Sequence, residues 1–228
     1  MDYPPRRNDR LIILGMARQT SNFEQVRELE PTSDILAIND WYICYPNLIP
    51  YMLTNIHNKE LFNDQKTIQR GKRWKDWVKK FNDTDAYVWV NDEWGELNNP
   101  IRMHGEKWRK QFGNYFASTV CHTLAIGYNM GYKEIRCHGF EGTPDEYRYE
   151  VPYIMTMIDK VRKLGVDVMM SCDMERKMKA RLKKYKVDWK NIPQVKMDYS
   201  DLTIKTLHLR YDIVSPECEL INSKDLKE

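Results

Sequence analysis

His138 directly follows the run Glu134-Ile135-Arg136-Cys137, and Glu141 stands three residues further on, in the phrase His138-Gly139-Phe140-Glu141. Asp92 lies in a second polar cluster, Asn91-Asp92-Glu93, behind Ala86-Tyr87-Val88-Trp89-Val90. An imidazole that titrates near 6.5 suits proton transfer close to neutrality, and a carboxylate beside it can act as the base or hold a substrate hydroxyl. Gly15 and the loop to Ser21, with Arg18 in it, follow Leu11-Ile12-Ile13-Leu14, and Asn39-Asp40 follow Ile35-Leu36-Ala37-Ile38. Ser118 and Thr119 open a helical pattern, where backbone N–H groups and the positive end of the helix dipole can hold a phosphate while the hydroxyls either cap or bind. The acid–base candidates are therefore Glu141, His138 and Asp92. The candidates for contacts to a bound nucleotide are Gly15, Arg18, Asn39, Asp40, Ser118 and Thr119. His122, in the first turn of that helix, is a further candidate base, whereas His57, His104 and His208 have no supporting context.

These residues share a position, immediately after an apolar run, and that position has a structural meaning. Arg10 to Gly15 and Asp34 to Asp40 are short continuous apolar runs ending in polar residues, the pattern of strands covered on both faces of a parallel sheet. Ala86–Val90, Glu134–Cys137 and Val166–Met170 predict three more strands. Helical patterns alternate with them at Phe23–Leu29, Ser118–Met130, Val151–Leu164 and Met174–Tyr185, the third stopping at Gly165. Alternation of this kind predicts an α/β, Rossmann-like domain with a mostly parallel sheet flanked by helices. In such sheets ligands bind beyond the carboxyl ends of the strands, which is where the candidates fall. The same rule sets aside Asp83-Thr84-Asp85 as a metal motif, because it precedes its strand. Residues 41–80 break the rhythm and read as a helical insertion, and residues 188–228 as a C-terminal extension with weak β-like pieces at 202–209 and 211–214. The whole of 1–228 reads as one domain.

Composition narrows the classes. With 228 residues, 42% hydrophobic and 30% charged, the chain can bury a sizeable core without disulfides or metals. No apolar stretch approaches the ~20 residues of a spanning helix, and the start lacks a signal segment, so a cytoplasmic location is expected. Five widely spaced cysteines, without a Cys-x-x-Cys pair, read as reduced core residues, and no metal site is expected. There is no Gly-x-Ser-x-Gly, Walker loop or His-Glu-x-x-His, which disfavours ordinary hydrolase and P-loop chemistry. The net charge of +3 is unremarkable, but its distribution is uneven. Lys66–Lys80 holds seven basic residues against one acid, and Arg176–Lys190 eight against one. These segments read either as solvated cationic faces or as grips on an anionic partner, with Trp74, Trp77, Trp108 and Trp189 available for stacking.

The stretch Ser118 to Ile135, and above all Gly131-Tyr132-Lys133-Glu134-Ile135, resembles the bacterial lipooligosaccharide sialyltransferases and the related motility-accessory-factor glycosyltransferases. The start is similar too, with Gly15 where that family has a Gly-x-Gly-x-Ser loop and Asn39 where a strand-terminal Asn contacts the donor nucleotide. The resemblance covers residues 10–42 and 113–170. Ala17-Arg18 replaces Gly-Pro, Val120 replaces the helix-opening Gly, and Glu141 replaces Asp. The family's lid histidine has no counterpart, since no His follows Glu141 until His208.

The resemblance implies a metal-independent glycosyltransferase that uses a sugar nucleotide as donor and transfers to an acceptor hydroxyl. The acceptor is a glycan, free or lipid-linked, or a hydroxymethylated base in DNA. Tyr115, Tyr147 and Tyr149 are available to assist the leaving phosphate. Two other classes stand beside this one: a non-catalytic nucleotide- or nucleic-acid-binding module, and a diphosphotransferase using the same cleft.

Overall fold

Seven parallel strands form one sheet, and the order in which they lie decides where a ligand can be received. The computed structural model describes residues 3–16, 23–39, 41–56, 78–91, 95–140, 150–184, 186–192 and 194. The strands are β1 (Arg10–Leu14), β2 (Asp34–Ile38), β3 (Met52–Asn55), β4 (Tyr87–Val90), β5 (Pro100–Arg102), β6 (Glu134–His138) and β7 (Asp167–Met170). They lie in the order β5-β4-β3-β2-β1-β6-β7, every neighbouring pair parallel. The chain steps from β1 outward to β5, then returns to the other side of β1 for β6 and β7. The α/β, Rossmann-like architecture is thus as the sequence predicts, with its topological switch between β1 and β6.

The helices are α1 (Phe23–Leu29), α2 (Trp41–Cys44), α3 (Gly105–Phe112), α4 (Thr119–Asn129), α5 (Val151–Lys163) and α6 (Cys172–Lys184), and residues 78–82 are also helical. Because both faces of a parallel sheet are covered, each strand feeds two cores. Leu11 and Ile13, Leu36 and Ile38, Met52, Trp89, and Ile135 and Cys137 pack with α3 to α6 on one face. Ile12, Leu14 and Ile35 pack on the other with Phe23 and Tyr45, while Leu53, Val88 and Val90 pack with Trp41 and Phe81. The α4 helix is buried from Thr119 through Gly127, as expected of a helix apolar nearly all round. Its close seat on the sheet depends on Gly127, where a Cβ would come within 2.8 Å of Ile135 and 2.9 Å of Leu11.

Four expectations need correcting. Residues 41–80 are not simply a helical insertion: Met52–Asn55 is β3, in the body of the sheet between β2 and β4. The short edge strand β5 and helix α3 are additional elements. Trp108 offers no stacking surface, being wholly buried in the core. Among the cysteines, Cys121 and Cys137 are buried as expected, Cys44 is part-buried, and Cys172 is exposed. Trp74, Trp77, Cys218 and the β-like pieces of the tail lie outside the described residues. Among the described residues, no helix is long and apolar enough to cross a membrane.

Candidate functional site

The two strands that flank the switch point meet at a pair of glycines. Gly15 N–H donates to the His138 carbonyl at 2.8 Å, extending the β1–β6 ladder by one bond beyond the end of β1. A Cβ on Gly15 would lie 2.3 Å from the Gly139 carbonyl oxygen and 2.8 Å from its carbon, so only glycine lets the chains leave the sheet this close together. Gly139 itself has φ 72°, the left-handed region. The backbones of Gly15 and Gly139 therefore lie against each other where β1 and β6 diverge, with the Phe140 Cβ beside them.

His138 is buried, at 4% exposure. Its pKa is pushed down to about 4, first by burial and second by the Arg136 guanidinium. At pH 7 the ring is neutral, and it is a weaker base than an ordinary imidazole. His122 is also buried and packs on Phe116 with ring centroids 4.9 Å apart. Its Nδ1–H donates to the Ser118 carbonyl at 3.0 Å, which fixes it as part of the helix start.

Asn39 directly follows β2 in the left-handed region, at φ 50°, a conformation asparagine tolerates better than most residues. Its N–H donates to the Thr54 carbonyl at 3.0 Å, which ties the ends of β2 and β3 together. The Asn39 Oδ1 and the Thr54 Oγ1 are both buried without a hydrogen-bond partner. Native structures leave few such groups, and here two of them lie side by side at the ends of adjacent strands. Thr54 is a residue that the sequence alone did not single out; recognising β3 would have placed it by the strand-end rule.

Ser118 is the N-cap of α4, with extended φ and ψ, and Thr119 is the first helical residue. The Ser118 side chain makes no capping hydrogen bond; its Oγ lies 3.6 Å from Cys121 Sγ. Since α4 runs down to Tyr132 at the amino end of β2, its N-terminus lies toward the carboxyl edge, with Gly15, Asn39 and Thr54. Arg18, Asp40, Asp92 and Glu141, with Tyr147 and Tyr149, lie outside the described residues. Asp83 precedes β4 at the opposite edge and pairs with Lys79 at 2.6 Å. Among the described residues no group of His, Cys, Asp and Glu could hold a metal.

No family model, no curated protein and no solved structure matches this chain. The site must therefore be understood from its own geometry. The phrase that carries the glycosyltransferase resemblance, Gly131 to Ile135, sits away from this site. Gly131 closes α4 at φ 80°, the Tyr132 hydroxyl donates to Asp34 Oδ2 at 2.7 Å, and Glu134 pairs with Arg10 at 2.7 Å and Arg136 at 2.8 Å.

Proposed function

We propose that this chain is a glycosyltransferase that takes a sugar nucleotide at the carboxyl edge of β1, β2, β3 and β6 and moves the sugar to an acceptor hydroxyl. The observation that carries this reading is the combination, at one edge, of a glycine-only backbone approach at the switch point with the partnerless Asn39 Oδ1 one strand away. A buried carbonyl oxygen needs a donor, and the hydroxyls of a ribose or the amine of a base supply one. The uncapped start of α4, at Ser118 and Thr119, suits the leaving phosphate, whose negative charge grows as the glycosidic bond breaks. Arg18 and Asp40, which follow β1 and β2 in sequence, are the proposed further nucleotide contacts.

In this scheme the acceptor hydroxyl loses its proton to a carboxylate, Glu141 after β6 or Asp92 after β4. His138, neutral and of low basicity, holds a hydroxyl rather than a proton. The acceptor is a glycan or a hydroxymethylated base in DNA. A thermal-shift panel of CMP, UDP, GDP, dTDP and ADP with their sugar conjugates tests the proposal, since a ligand of the folded state raises the melting temperature by mass action. One nucleotide series should stabilise the wild type and lose its effect in Asn39→Ala. Silence from every series overturns the reading.

A further inference from the structure

Helices α4, α5 and α6 end in the same hydrogen-bonded turn. After α4, the N–H of Gly131 donates to the Tyr128 carbonyl at 2.9 Å and that of Tyr132 to the Gly127 carbonyl at 3.2 Å. After α5, Gly165 donates to Arg162 at 2.9 Å and Val166 to Val161 at 3.4 Å. After α6, Lys186 donates to Lys183 at 3.2 Å and Val187 to Leu182 at 2.9 Å. Such a turn needs a left-handed residue at its centre, and φ is 80° at Gly131, 90° at Gly165 and 53° at Lys186. Glycine takes that conformation without strain, whereas the Cβ of another L-residue crowds the following carbonyl.

Two of these turns are thus closed by the residue the backbone favours, and the third by a lysine held against strain. Packing does not account for that choice, because Lys186 is exposed, and among the described residues its ammonium has no carboxylate partner. The helix dipole does not call for it either, since Arg181, Lys183 and Lys184 already stand in the last turn of α6. What glycine would lack at 186 is the charge.

That charge falls in Arg176–Lys190, which holds eight bases against one acid in a chain whose net charge is only +3. In the first half of α6 the bases are answered within the helix: Asp173 pairs with Arg176 at 2.5 Å and Lys177 at 3.1 Å, and Glu175 with Lys179 at 2.7 Å. Further on the single acid, Asp188, is turned to other partners, accepting from the Lys190 N–H at 3.1 Å and the Asn191 amide at 2.7 Å. Lys183, Lys186 and Lys190 are all exposed. The turn at Lys186 reverses the chain, and α5 then fixes it, with the Thr156 hydroxyl donating to the Trp189 carbonyl at 2.6 Å and Val187 and Trp189 packed against the core. Three lysines are thereby carried on an anchored backbone at the end of one helix.

Charge spread along a surface suits an extended polyanion, whose phosphates release counterions as lysines replace them. An anionic membrane calls for apolar side chains beside the cations, and among the described residues no large apolar side chain of 172–192 is exposed. We propose that the last turn of α6 and the turn after it bind the phosphate backbone of a nucleic acid through Lys183, Lys186 and Lys190, without reading its sequence. The surface is independent of the glycosyltransfer reading: α6 starts beyond the carboxyl end of β7 and carries these lysines roughly 20 Å along its axis, and binding needs no sugar nucleotide.

The experiment follows the anisotropy of a fluorescently labelled DNA duplex of mixed sequence as the full chain is added, over a series of chloride concentrations. The wild type should bind at low salt, with log affinity falling linearly in log salt. Lys186→Gly should move two readouts in opposite directions. Relief of the left-handed strain should raise the melting temperature by about 2–4 °C, while loss of one phosphate contact should weaken binding several-fold and lower the salt slope by about one. Adding Lys183→Gln and Lys190→Gln should weaken binding further, whereas Lys110→Gln, at an exposed lysine of α3 paired with Glu106, should leave it near wild type. The proposal is overturned if the duplex does not bind at low salt, if phosphatidylserine vesicles bind and the duplex does not, or if Lys186→Gly or the triple variant binds DNA as the wild type does.

Discussion

The two edges of the sheet are finished in opposite ways. At the amino edge, Asp34 is completely buried and every bond around it is made. Its carboxylate accepts from Arg7 N–H at 3.1 Å, Arg7 Nε at 2.5 Å and the Tyr132 hydroxyl at 2.7 Å. Arg7 in turn lies 4.0 Å over the Tyr51 ring, Tyr51 donates to the Pro5 carbonyl, and Arg6 donates to the Gly131 carbonyl. At the carboxyl edge, Asn39 Oδ1 and Thr54 Oγ1 are buried and unmatched, and two backbones touch where a methyl group would not fit. Satisfied polar networks rigidify a fold, whereas unmatched ones weaken it unless something else completes them. The amino edge holds the protein together, and the carboxyl edge is the one on which the proposed function places a ligand.

That contrast is open to attack from the strong side first. Asp34→Ala removes two charge-assisted bonds and strands the Tyr132 hydroxyl, so denaturant unfolding should show a loss of about 4 kcal/mol. A loss under 1 kcal/mol would mean that the amino edge is not the structural one.

The next effect is a pH dependence. His138 titrates near 4 in the folded state and near 6.5 when unfolded, so between those values the unfolded state binds more protons. The stability from keeping this ring neutral is therefore fully present above about pH 6.5 and is lost as pH falls toward 4, in total about 3 kcal/mol. Denaturant midpoints measured across that window should fall for the wild type and much less for His138→Gln.

Gly15→Ala brings a methyl against the Gly139 carbonyl and should cost about 2 kcal/mol in the same assay, together with any nucleotide-induced thermal shift. The smallest effect has the opposite sign. Thr54→Val keeps the shape of an unmatched hydroxyl but not its polarity, so the ligand-free protein should gain about 1 kcal/mol while nucleotide binding weakens. A stabilised variant that binds as well as wild type would reduce Thr54 to a packing residue.

Much of the fold was legible because its central strands are continuous apolar runs. Arg10–Leu14 and Asp34–Ile38 have no polar face to spare, and only a sheet covered on both sides accommodates that. The strand-end rule then found Gly15, Asn39 and His138 at the carboxyl edge, with Ser118 and Thr119 at the helix start directed to it. The pieces it missed are short. Met52–Asn55 and Pro100–Arg102 span four and three residues, too few to display a period, and one of them is fenced by Pro46 and Pro50. Their partners, not their own composition, make them strands. With β3 went Thr54, and with β5 and α3 went the surroundings of His104.

Sequence by itself determined the class of fold, the alternation of strand and helix, and which residues close the central strands, because those depend on local runs of hydrophobicity. Only the tertiary structure decided what each polar residue does there. It drew Trp108 into the core against Trp89, and it held His138 neutral through burial. It also turned Gly131 to Ile135, the phrase most like a known family, into a brace around Asp34 at the far edge. Burial, pairing and the local dielectric are set by residues distant in the chain, and these decide whether a polar group is a strut, a base or a ligand contact.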